Sequence, residues 1–116
     1  MIDYSKNLKA ALDKILPTYY EMTLHSGLNT PCISYMETNN YSATEVIGAT
    51  IGYSHIAYQV KVWGHNIGEL QHYAAAIDNE LRALGWKRTS SRELYDKQST
   101  MIQKIMQYEI LLQEQY

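Results

Sequence analysis

The sequence predicts an α+β fold: a mixed, mainly antiparallel sheet of about five strands flanked by two helices, with a long arm-like loop and a C-terminal β-hairpin. Three observations predict it. In residues 55–62 Ile56, Tyr58, Val60 and Val62 alternate with His55, Ala57, Gln59 and Lys61, the period of a half-buried strand. Residues 67–84 carry apolar side chains in steps of three and four, the period of an amphipathic helix. After that helix come two further runs separated by a polar turn, the layout of a strand and its return. A chain of 116 residues fits one domain and leaves no room for a second core.

The elements follow in order. "SKNLKAALDKILP" sets Leu8, Leu12, Ile15 and Leu16 on one helical face and Lys6, Lys9, Asp13 and Lys14 on the other, and Pro17 stops it. "TYYEMTL" reads as a strand ended by the turn-rich "HSGLNTP", and "CISYME" as a second short strand. "TNNYSATEVIGATIG", residues 38–52, shows no clear period and is expected to form a long connection or arm. In the long strand Ile56, Tyr58, Val60 and Val62 alternate with His55, Ala57, Gln59 and Lys61. In the helix Ile67, Leu70, Ala74, Ile77, Leu81 and Leu84 form the stripe, Asn66 and Glu69 have capping-box spacing, and Gly85 stands where a left-handed residue ends a helix. The strand and helix leading into Trp86 fit either a crossover unit or a split arrangement. "TMIQKIMQYEILLQEQ" fits a helical stripe and a strand face alike; its helix-forming composition favours the first, and the need of the preceding run for a partner strand favours the second.

Composition narrows the function classes. A formal net charge of -2 does not favour binding to nucleic acid, which needs clustered excess Lys and Arg. The single cysteine, Cys32, excludes an intramolecular disulfide and fits a reducing compartment. No apolar run is long enough to span a bilayer, and "MIDYSKNLKAAL" is not a secretory leader, so a cytosolic protein, or one carried out within a larger particle, is expected. There are 11 Tyr and no Phe; tyrosine suits half-buried positions on sheets and at subunit contacts, where its ring is covered and its hydroxyl finds a partner.

The sequence offers few seats for chemistry. His65, Glu69 and His72 share a helical face opposite the apolar stripe, which suits a metal site less well than a solvated face, since His65 precedes the helix cap. Cys32 follows Pro31 into a strand, where a buried, inert thiol is usual. "VIGATIGYS" lacks both the dinucleotide spacing and the P-loop lysine, and Asp78 and Glu80 point apart on a helix. The basic cluster in "WKRTSSREL" is offset at once by Glu93 and Asp96, which suits a polar protein contact or a solvated hairpin better than a nucleic-acid patch. No catalytic, cofactor-binding or metal-binding residue is assigned.

In its layout the chain resembles the tail terminator, or tail-completion, proteins of long-tailed bacteriophages and prophages. The resemblance is carried by "YSHIAYQVKVWG" as the long strand, "NIGELQHYAAAIDNELRALGWKRTSS" as the helix and first hairpin strand, and "ELYDKQSTMIQKIMQYEILL" as the turn and return. It covers residues 1–113 in layout and is most specific from Gly52 to Leu112. It implies a non-enzymatic α/β structural protein without cofactors, whose subunits form a hexameric ring. That ring caps the tail tube, stops its polymerisation and offers a surface to the head-completion or connector protein, with DNA only as passing cargo and no membrane. The implied location is the head-proximal end of the virion tail, after assembly in the bacterial host cytoplasm. The resemblance also favours strand over helix at the C-terminus. Under this reading the interface residues fall in two groups: Asn40, Tyr41, Glu45 and Ile47 on the arm, and Trp86, Lys87, Arg88, Arg92, Glu93 and Tyr95 on the hairpin. Two other classes compete: a small cytosolic adaptor that accepts a peptide strand at an exposed sheet edge, and an enzyme with a metal on His65, Glu69 and His72.

Overall fold

The computed structural model describes residues 4–21, 30–42 and 51–115. Helix α1 (Ser5–Asp13) forms because Leu8, Ala11 and Leu12 share one face, and all three are buried. It ends sooner than the spacing predicts. Asp13 turns its carboxylate to the backbone N–H of Thr18 at 3.1 Å, and Ile15 and Leu16 pack against the core from the turn that follows. The chain then enters the short strand β1 (Thr18–Tyr20).

The largest departure from the sequence reading is the arm. Strand β2 (Cys32–Ser42) runs well past the expected "CISYME", and β3 (Ile51–Gly64) begins before Tyr53. Thr38–Ser42 and Ile51–Gly52 are therefore strand, and only residues 43–50 of the expected connection lie outside the described residues. The cause is pairing, not propensity: Asn39, Asn40, Tyr41 and Ser42 each find an antiparallel partner on β3. An irregularity between Glu37 and Asn39 accommodates Thr38, and the ladder resumes beyond it.

β3 is followed by α2 (Ile67–Ala83), β4 (Lys87–Asp96) and β5 (Met101–Gln115). The strand order β1-β2-β3-β5-β4 puts β5 between β3 and β4, antiparallel to both. The unit β3–α2–β4 is thus the split arrangement, and the C-terminal segment is strand because it fills that gap with partners on both sides. At the start of α2 the Asn66 side chain accepts the Glu69 N–H at 3.0 Å. At its end Gly85 adopts φ +97°, with its N–H on the Arg82 carbonyl and the Trp86 N–H on the Leu81 carbonyl, a paired closure that needs the left-handed residue.

Both helices pack on one face of the sheet. Leu8, Leu12, Leu70, Ile77 and Leu81 meet Ile33, Ile56, Tyr58, Val60, Val62, Met106 and Tyr108 in one core. Ile67 and Leu84, expected on the apolar stripe, sit at its two ends and stay exposed. Neither helix covers the opposite sheet face, where His55, Ala57, Gln59, Lys61 and Trp63 are half-buried among their own neighbours. The molecule measures 56 × 25 × 23 Å, because β3, with 14 residues, outruns α2. At about 3.4 Å per strand residue against about 1.5 Å per helix residue, the sheet projects past the helical layer.

Candidate interaction surface

Three features of the sheet define the surface. The first is β4. It ends the strand order, and all ten of its residues, Lys87 to Asp96, are exposed. Its outer backbone groups lack a strand partner among the described residues, the condition under which a sheet accepts another chain. The opposite edge strand, β1, is only three residues long.

The second feature is the sheet face opposite the helices, on which Cys32, Ser34 and Ile105 are buried and Lys61 and Trp63 half-buried. Its polar chains are tied to one another: Lys61 pairs with Glu21 at 2.8 Å and lies 5.6 Å from the centre of the Trp63 ring. Trp63 donates to the Ser34 hydroxyl at 2.8 Å, and His55 meets Glu109 at 2.9 Å. Cys32 is buried, and that burial pushes its thiol pKa up, which favours an inert thiol over a nucleophile.

The third is the pair of sheet ends. Ile51 pairs with Gln115 and Gly64 with Ile102, so the end of β2 at Ser42 and the start of β3 at Ile51 lie at the opposite end of the sheet from the β4–β5 turn. The β4–β5 turn is fixed by the Asp96 side chain, which accepts the Gln98 N–H and the Ser99 hydroxyl, each at 3.0 Å. His65 Nδ1 lies 3.1 Å from both the carbonyl and the hydroxyl of Thr100, which ties this turn to the start of α2.

Of the residues the sequence selects, Lys87, Arg88, Arg92, Glu93 and Tyr95 do fall together on β4, and all are exposed. Trp86 does not join them. It is 2 % exposed, packed edge-on against Tyr58 at 5.8 Å and tilted against Tyr4 at 5.9 Å, and so belongs to the core. The Gly85 turn rotates it under the helix instead of along the strand. Asn40 is half-buried opposite Ile56 on β2, and Tyr41 follows it opposite His55; Glu45 and Ile47 lie outside the described residues. Asn40 and Tyr41 are therefore at the far end of the sheet from the β4–β5 turn. Among the described residues His65, Glu69 and His72 do not form a metal-ligand group. Leu94, 48 % exposed near the end of β4, is a surface residue the sequence does not single out; an apolar residue flanked at i±2 by Arg92 and Asp96 was its signal.

The helix-side face of β4 is bound to α2 through one carboxylate. Asp78, on α2, accepts the hydroxyl of the fully buried Tyr108 at 3.0 Å and pairs with Arg82 at 2.7 Å and Arg88 at 3.7 Å. Beside it lies a groove of about 300 Å³ lined by Gln71, Ala74, Arg88 and Lys104 among others, with Lys104 held by Glu93 at 3.0 Å. Burial, then the hydrogen bond to Asp78 and its negative charge, push the Tyr108 hydroxyl well above the usual tyrosine pKa, against a smaller opposing pull from Arg88 and Arg82. The folded chain therefore holds this proton more tightly than the unfolded chain. Its contribution is complete below the ordinary tyrosine pKa of about 10 and is lost as pH rises beyond it. Urea unfolding between pH 8 and 11 is expected to show stability falling with a limiting slope of about 1.4 kcal/mol per pH unit more than in Tyr108→Phe. Equal slopes in the two proteins would remove this account.

No protein-family model matches the chain, and no curated protein matches it.

Proposed function

We propose that this protein is a virion assembly protein, a tail terminator whose copies close into a hexameric ring on the tail tube, stop tube growth and present a face to the head connector. The observation that carries this reading is the fully exposed β4, ten residues of sheet edge on a folded core, with the end of β2 and the β4–β5 turn at opposite ends of the sheet. Surfaces at opposite ends suit head-to-tail contacts, which close into rings when the rotation per subunit allows. The order of elements, a helix and two strands, a long strand, an amphipathic helix and a hairpin, keeps the layout on which the resemblance rests except for its long arm, of which residues 38–42 and 51–52 are strand. The exposed residues of β4 are of mixed charge, which suits contacts that form only on a template, and several weak contacts acting together hold a ring firmly. Among the described residues no helix is long and apolar enough to cross a membrane. The expected partners are other copies of the chain, the tail tube protein and the connector protein, and the expected location is the head-proximal end of the tail.

The same exposed edge favours a second reading, an adaptor that takes a peptide as an added strand on β4. Electron microscopy of the purified chain with tail tube protein from the same genome separates the two. Rings with a central hole, or caps that shorten and narrow the distribution of tube lengths, are expected. A chain that leaves tube lengths unchanged and forms no ring overturns the terminator reading.

A further inference from the structure

We propose that two free copies of this chain pair antiparallel along the outer edge of β4, about a two-fold axis through Leu94, joining their sheets into one continuous sheet. This contact belongs to the free chain and sets one patch against itself, whereas ring contacts are head-to-tail; both draw on the exposed β4, so the pair would open before a ring closes.

The register of β4 restricts how two copies can meet. Antiparallel strands related by a two-fold axis oppose residues on the same sheet face, so a slip by one residue is forbidden. Opposite β5, Arg92, Leu94 and Asp96 face Ile105, Gln103 and Met101 on the side of the sheet away from the helices, while Glu93 and Tyr95 face Lys104 and Ile102 on the helix side. A register centred on Arg92 sets two arginines against each other, and one centred on Glu93 sets two glutamates; like charges directly opposed are destabilising. A centre further toward the start of β4 meets the irregularity between Arg88 and Ser90. A centre at Tyr95 pairs only Leu94 to Asp96 before the turn begins.

The register centred on Leu94 alone satisfies every constraint. Leu94 meets Leu94, and on either side Arg92 meets Asp96 of the second copy, so each dimer carries that ion pair twice. Glu93 faces Tyr95 without charge conflict. Leu94 is 48 % exposed and Tyr95 59 %, so the pairing covers apolar surface now in water. It also satisfies the outer backbone groups of Arg92 to Asp96 with a strand of matching twist. Charges on an edge strand usually prevent such pairing; here their alternation excludes the neighbouring registers and leaves one open.

The test uses the free full-length chain, without tubes. Residues directly opposed in antiparallel strands have Cα atoms about 4.5–5.5 Å apart, within the range of about 4.4–6.8 Å that a disulfide spans. Leu94→Cys under mild diamide oxidation is therefore expected to give a covalent dimer at least tenfold faster than Arg92→Cys or Tyr95→Cys, while native Cys32 stays buried. In light scattering across a dilution series, Arg92→Asp is expected to raise the dimer dissociation constant at least tenfold, and raised salt to shift the wild type the same way. Equal crosslinking at all three positions, or a wild-type chain monomeric throughout the series, overturns the pairing. Either result leaves the ring reading untouched, since rings are scored on tubes.

Discussion

Trp86→Ala is expected to lower the unfolding free energy by about 3–5 kcal/mol, followed by urea titration with far-ultraviolet circular dichroism. The side chain is 2 % exposed and seals the end of the helical layer, where α2 hands over to β4. Its loss takes the edge-on contact with Tyr58 and the tilted contact with Tyr4, and leaves a cavity that the paired turn at Gly85 prevents from collapsing. For a domain of this size the corresponding fall in Tm is on the order of 10–20 °C. Trp86→Phe is expected to cost far less, below about 1.5 kcal/mol, because the indole N–H has no hydrogen-bond partner among the described residues and losing it orphans none of them. A Trp86→Ala chain with an unchanged urea midpoint would return Trp86 to the contact surface and take it out of the core.

Asp78→Ala is expected to cost about 2–3 kcal/mol, most of it through Tyr108. That hydroxyl is fully buried, and without the carboxylate its remaining contact is the Met106 sulfur at 3.5 Å, a weak acceptor. The arginines contribute less: Arg82 is 59 % exposed, and water screens its pair. Asp78→Asn keeps a carbonyl oxygen for the tyrosine and is expected to cost under about 1 kcal/mol. Adding Tyr108→Phe to Asp78→Ala should restore part of the loss, since the orphaned group is then gone. Additive single and double mutants would show that the two residues do not act together.

Much of this was legible in the residues. The alternation from Ile56 to Val62 and the spacing of Leu70, Ala74, Ile77 and Leu81 predict their burial correctly, because a strand or helix half in water must keep its period. The Asn66 cap and the Gly85 closure were equally plain, being local hydrogen-bond chemistry. The extension of β2 through Ser42 was not, since Asn39, Asn40 and Ser42 are poor strand formers that become strand only beside β3. Nor was the place of Trp86. In sequence it stands next to Lys87 and Arg88, but its backbone leaves the helix through a left-handed residue that turns the ring inward. On the candidate surface the sequence brought Lys87, Arg88, Arg92, Glu93 and Tyr95 together by adjacency alone, and it passed over Leu94, whose exposure depends on the strand being an edge.

By itself, then, the sequence determined the helices, the long central strand, the turn at Gly85 and the mixed charge of the segment after Trp86, all of which rest on periods and hydrogen bonds within a few residues. Only the tertiary structure decided that the C-terminal segment is a strand between β3 and β4, that the supposed arm is in large part paired sheet, and that β4 is left as the exposed edge. Those outcomes depend on which strand finds which partner across the sheet, and that choice is made by burying one shared face against α1 and α2, a condition no local stretch of residues contains.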